Sequence, residues 1–139
     1  MAPELDEETL AFARRMFGLA REGMAEELGA QLRAGLPPNM TNEKGDTLLM
    51  LAAYNKHPAT VRVLLEHGAD TARINDRGQT ALGAAVFRQS VDAVGHLLAH
   101  DADPHVGSPS AVEVAAFFDL PEMTALLTPD PDDGAGTRD

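Results

Sequence analysis

Groupings of residues that could bind a metal or attack a substrate are few, and two stand out. His96 and His100 stand four apart, followed by Asp101, Asp103 and His105. On a helix that spacing puts two imidazoles on one face, the start of a zinc site when further donors complete a tetrahedron. The same residues also suit the last turn of a helix, where an imidazole meets the negative end of the dipole. The second placement is the expected one, on the outer side of the helix. No metal is therefore expected, and His96 and His100 remain the pair that a metal or small-ligand binder would use. His57 and His67 are read as helix-end residues of the same kind. The second place is Gly107-Ser108-Pro109-Ser110. A nucleophilic Ser110 needs a base beside it, and nothing in the sequence supplies one, so the segment reads as a turn and a helix cap. There is no Gly-x-Ser-x-Gly, no phosphate loop and no His-Glu-x-x-His. With no cysteine, disulfides, thiolate metal sites and a cysteine nucleophile are excluded. The chain reads as a binding scaffold without a cofactor, not as an enzyme.

The elements that position these residues repeat. Asn42, Gly45, Thr47, Leu49, Ala52, Leu64, Leu65 and Asp70 return 33 residues later as Asn75, Gly78, Thr80, Leu82, Ala85, Leu97, Leu98 and Asp103. A fixed period of this size marks a stack of supersecondary units. The pattern predicts helices near 47–56 and 58–67, then near 80–88 and 91–100. Thr47, Thr80 and Ser90 are their N-caps, Pro58 sits in a first turn and Gly68 at an end. Upstream, Asp6 caps a helix whose apolar face holds Phe12, Met16 and Ala20, with Ala13 and Phe17 beside it. That helix ends at Gly23. A second helix, with Met24, Leu28 and Leu32 on one side, stops at Gly35. Downstream, Ser110 to Ala116 copies Thr47 to Ala53 at an offset of 30 from Thr80, and Pro121 opens a last helix through Leu127. The outer pairs are degenerate copies, as terminal repeats must be when one face meets water.

These residues resemble the ankyrin-repeat family, whose pattern is roughly D-x-x-G-x-T-P-L-H-x-A-A, a break, then V-x-x-L-L-x-x-G-A-D. The match covers about residues 10–127. The resemblance implies an all-α solenoid of four helix-turn-helix repeats, near 7–41, 42–74, 75–107 and 108–127, the first and last acting as caps. It is similar to small bacterial ankyrin proteins, which implies a cytoplasmic accessory or regulator. Three departures stand out. The proline of T-P-L-H is replaced by Leu48, Ala81 and Ala111, and its histidine by Met50, Gly83 and Glu113. That histidine stiffens the family's stack, so the array is expected to be less stable than a consensus one. Asp101 replaces a glycine where φ is expected to be positive.

In such an array the concave face is built from loop tips and from the end of each first helix. The loop tips give Lys44 and Asp46, then Asp76, Arg77 and Gln79. The helix-end column reads Arg21, Tyr54, Phe87, Phe117, and the next column Glu22, Asn55, Arg88, Phe118. Tyr54, Phe87 and Phe117 are expected to line up as a ladder, and four of the six aromatic residues fall in these two columns. Aromatics and arginine are the residues that dominate binding surfaces. The expected partner-binding set is thus Tyr54, Asn55, Phe87, Arg88, Phe117 and Phe118, with Lys44, Asp46, Asp76, Arg77 and Gln79 at the periphery. Gap-filling between helix pairs is the alternative use of the rings, and self-association through the ladder is another.

Composition narrows the partner. The net charge is −11, but the acids crowd the ends: over residues 9–127 there are 14 acidic and 10 basic side chains, a net of −4. Nucleic acid needs a positive footprint, so a protein partner is expected instead. Met1 to Glu8 lacks the basic and apolar regions of a signal peptide, and no apolar run is long enough to span a membrane. A cytoplasmic monomer is expected. Residues 1–6 are expected to be flexible. Residues 128–139, rich in Pro, Gly and Asp, are expected to form a disordered acidic tail.

Overall fold

The computed structural model describes residues 6–128. The flexible stretch expected over 1–6 and the acidic tail expected over 128–139 lie outside the described residues, apart from Asp6 and Thr128. The described residues form four helix pairs: α1 (Glu7–Glu22) with α2 (Ala25–Arg33), α3 (Leu48–Tyr54) with α4 (Pro58–Glu66), α5 (Ala81–Phe87) with α6 (Val91–Ala99), and α7 (Ala111–Phe117) with α8 (Pro121–Leu127). The odd-numbered helices pack side by side as one layer, and the even-numbered helices as a second layer behind them. The only extended pairing among the described residues is two isolated bridges, Thr41–Thr47 and Gly107–Ser110.

Each pair is punctuated by the same chemistry. Thr47 accepts from the Met50 amide at 3.1 Å, Thr80 from Gly83 at 3.0 Å, and Ser110 from Glu113 at 3.2 Å. These bonds satisfy amides that a helix start leaves without partners. Glu113 also accepts from the Ser110 amide at 2.9 Å, closing a reciprocal capping box. The family histidine is thus replaced in the last repeat by a residue with a second capping role. At the helix ends the chain turns through left-handed residues. Gly35, Gly68 and Asp101 end the outer helices; Gly23, Lys56, Gln89 and Asp119 end the inner ones. In each inner turn an amide reaches back five residues, as His57 to Ala52, Ser90 to Ala85 and Leu120 to Ala115. The left-handed Asp101 matches the sequence expectation. Lys56, Gln89 and Asp119 add three more non-glycine residues there, each at a cost of about 1 kcal/mol.

The core lies between the two layers. Leu49, Ala52, Val61 and Leu64 are buried in one pair and Leu82, Ala85, Val94 and Leu97 in the next, with Met16, Leu28 and Met123 closing the ends. The alanines let inner helices approach closely; each fully buried leucine contributes roughly 2 kcal/mol. Two residues expected on buried faces are exposed instead. Phe12 lies in the first half of α1, which has 16 residues against seven in α3, so α3 covers only the second half, where Met16, Phe17, Leu19 and Ala20 are buried. Met24 is not on the buried side of α2; it is the exposed N-cap residue between α1 and α2.

Candidate functional site

Three of the four inner helices, α3, α5 and α7, end on Tyr54, Phe87 and Phe117, and the left-handed residue two positions further on stops each helix there. This places one large ring at the end of the inner helix in each of the last three repeats. Tyr54 is 47% exposed, Phe87 42%, Phe118 49% and Phe117 81%. The rings form one continuous cluster. Tyr54 and Phe87 stack with centroids 6.3 Å apart and planes 6° from parallel. Phe118 meets Phe87 edge-on at 5.1 Å, and Phe117 meets Phe118 at 4.9 Å. The ladder therefore differs from the expected Tyr54–Phe87–Phe117 line: Phe118, not Phe117, continues it. The reason is visible one repeat earlier. Arg88 stands at the position equivalent to Phe118 and also reaches back, its guanidinium 5.2 Å from the Tyr54 ring centroid. A residue just past one inner helix covers the ring that ends the preceding one.

These back-reaching contacts are also caps. Arg88 donates from Nη1 to the Tyr54 carbonyl at 2.6 Å, and His57 donates from Nε2 to the Arg21 carbonyl at 2.9 Å. Both carbonyls lie in the last turn of an inner helix, where no amide of the same helix reaches them. His57 is therefore not at a C-terminal helix end, as its sequence reading had it. It is the N-cap residue of α4, its ring packed over Gly23, where any Cβ would collide with it. Asn55 turns its amide to the Leu51 carbonyl at 2.8 Å.

The loop tips are organised differently. Asn42 accepts from the amides of Lys44 and Asp46, and Asn75 from those of Arg77 and Gln79. Asn75 also donates from Nδ2 to Asp46 Oδ1 at 2.8 Å and to Gln79 Oε1 at 2.9 Å. The Asp76 amide donates to the Lys44 carbonyl at 3.0 Å, and the Ser108 amide to the Gly78 carbonyl at 2.9 Å. Successive tips are thus bonded to one another. Asp46 and Gln79 have an oxygen engaged in holding the stack. Asn75 was not among the expected site residues, although an asparagine is suited to this work: it both accepts in the turn and donates across it.

Helix ends and loop tips enclose an open groove of about 1070 Å³. Tyr54, Asn55, Phe87, Phe117, Phe118, Asp46, Arg77 and Gln79 line it; Lys44, Asp76 and Arg88 are not on its wall. Arg21, which heads the helix-end column but was not in the expected binding set, lines it too, as do Leu51, Ala84 and Val114, which the sequence reading missed. Their signal was present in the spacing: Leu51, Ala84 and Val114 each precede a helix-end ring by one helical turn. His96 is half-buried within α6 and His100 is its exposed C-cap. Among the described residues they gather no third histidine or carboxylate into a metal-sized group. None of the described helices is long and apolar enough to cross a membrane.

Comparison with known proteins agrees with this architecture. A family model of ankyrin repeats, three copies long, matches residues 16–108. A protein of Pseudomonas aeruginosa whose name describes it as an ankyrin repeat protein is 54% identical over 61 residues, which is 44% of this chain. That match spans 36% of the relative's length, so little more than a third of it is represented. With four stacked helix pairs, capped and turned at recurring positions, and a family match over most of its length, this chain belongs to the ankyrin repeat family of protein-interaction modules.

Proposed function

We propose that the chain is a scaffold or regulator that binds a partner protein through the groove of its inner face, with no catalytic step of its own. The observation that carries this reading is the ring cluster. Tyr54, Phe87, Phe117 and Phe118 are 42–81% exposed, form one chain of ring contacts, and share the groove with the apolar Met50, Leu51, Ala84 and Val114. Rings left half in water in a chain this poor in aromatics are costly unless a partner covers them. A covered aromatic cluster ringed by polar groups is what a binding hot spot requires. Tyr54 and Phe87 form the centre of the contact, Phe118 and the mostly exposed Phe117 its far end, and Arg88 its rim. Asn55, Arg77, Asp46 and Gln79 border it, with Lys44 and Asp76 outermost. The reading places the chain in the cytoplasm as a monomer.

Affinity capture from native lysate tests it. The wild type retains a specific protein that a Tyr54→Ala/Phe87→Ala variant, folded by circular dichroism, does not retain. A protein held equally by both would move the site elsewhere. Light scattering across a range of concentrations checks the monomer; a dimer dissociated by Phe117→Ser would reassign the rings to self-association.

A further inference from the structure

We infer that the segment filling this groove is an acidic, extended peptide carrying an aromatic or large apolar side chain. The inference rests on the protein-binding reading above and adds the chemistry of the partner. The groove wall holds four charged residues, Arg21, Arg77, Asp46 and Glu113. Both carboxylates have a structural bond already: Asp46 accepts from Asn75 at 2.8 Å and Glu113 from the Ser110 amide at 2.9 Å. Neither arginine has an ion pair among the described residues. Among the described residues the ion pairs are Arg15–Glu27 and Arg73–Asp70, both away from the groove. At the rim, Arg88 donates to a backbone carbonyl, an uncharged acceptor. Three guanidiniums therefore border the groove with no carboxylate among the described residues within ion-pair distance. A partner carboxylate can take a bidentate pair from such a group.

The rest of the molecule sharpens the choice. Apart from Arg21, Arg77, Arg88, Asp46 and Glu113, residues 9–127 carry 12 acidic and 7 basic side chains, so the rest of this region on balance disfavours an acidic peptide and attracts a basic one. A basic partner would gain nothing by choosing the groove. An acidic partner is accepted at the groove and rejected elsewhere, which is how electrostatics supplies specificity and register. Ring spacing fits an extended chain. The Tyr54 and Phe87 centroids lie 6.3 Å apart, close to the roughly 6.6 Å spanned by two residues of a strand, and Phe118 follows at a shorter 5.1 Å. Alternate side chains of a peptide would thus meet successive rings. Single-stranded nucleic acid also stacks on rings, but its unbroken row of phosphates would extend over the acidic surface beyond the groove.

The test is selection of a random displayed peptide library on the intact 139-residue protein, followed by fluorescence polarisation with the synthesised winners. Expected are acidic sequences with an aromatic or large apolar residue. Their affinity falls about tenfold in Arg21→Ala/Arg77→Ala and falls again as salt is raised. If that pair of alanines does not fold, Arg21→Gln/Arg77→Gln replaces it. Uncharged or basic winners that are lost in Tyr54→Ala/Phe87→Ala but unchanged in the arginine variant would overturn the charge inference and leave the binding reading standing. Winners indifferent to the ring variant, or no enrichment, would remove both. A single-stranded oligothymidine that binds the groove more tightly than every selected peptide would also overturn the inference.

Discussion

Two rows of residues border the groove, and they differ in what their polar atoms are already doing. In the loop-tip row, Asn42 and Asn75 fold their own turns, and Asn75 ties Asp46 to Gln79 across two repeats. In the helix-end row, contacts run between ring faces and edges, with 42–81% of each residue left to water. The first row resembles the inside of a protein in its bonding. The second resembles half of an interface. Position on a concave face is therefore a poor guide to binding by itself; the better guide is whether a side chain's interactions are complete.

Substitutions can break this contrast, and the largest effect belongs to the loop row. Asn75→Ala removes four side-chain hydrogen bonds at a buried position and should lower unfolding stability by about 3 kcal/mol, measured by urea denaturation. A loss near zero would mean the tips are held by backbone pairing alone. Gly78→Ala comes next. Its φ is +78° and a Cβ would lie 2.5 Å from the Ser108 carbonyl oxygen, so a loss of about 2 kcal/mol is expected in the same assay. In the helix-end row, Arg88→Ala deletes a partly exposed cation–π contact and one bond to a carbonyl. It should cost about 1 kcal/mol. A cost matching that of Asn75→Ala would erase the contrast.

The smallest effect lies outside both rows, at the start of α1. The Thr9 amide, 2.7 Å from its carboxylate, holds the Asp6 pKa below the ordinary aspartate value. A depressed folded-state pKa stabilises above the unfolded value, and the contribution disappears as pH falls through the folded one. An NMR titration should therefore show the Thr9 amide shift following Asp6 protonation below the usual aspartate range, with the two rows unaffected.

Much of the scaffold was legible because its signals are local. Gly45, Thr47 and Ser110 announce turns and caps by residue type, and the 33-residue period places their copies. Asp101 could be read as left-handed because it stands where other repeats have glycine. Lys56, Gln89 and Asp119 could not, since neither lysine nor glutamine announces that backbone; only their register with Gly23 does. The site was legible in composition and not in pairing. The columns put Tyr54, Phe87, Arg88 and Phe118 close together. That Arg88 covers Tyr54 and Phe118 covers Phe87 depends on how one inner helix is set against the next, a distance no single repeat encodes. Asn75 was visible as a pattern residue, but its bond to Asp46 joins side chains 29 residues apart.

The most direct measurement is the affinity of a groove-selected peptide for two folded variants, Tyr54→Ala/Phe87→Ala and Lys44→Ala/Asp76→Ala, each compared with wild type by isothermal titration. Loss of two ring contacts at about 1.4 kcal/mol each predicts a drop of about 100-fold in the first. The second, whose side chains lie off the groove wall, should stay within about threefold. The reverse order, with the loop-tip pair carrying the affinity and the rings dispensable, would contradict the account.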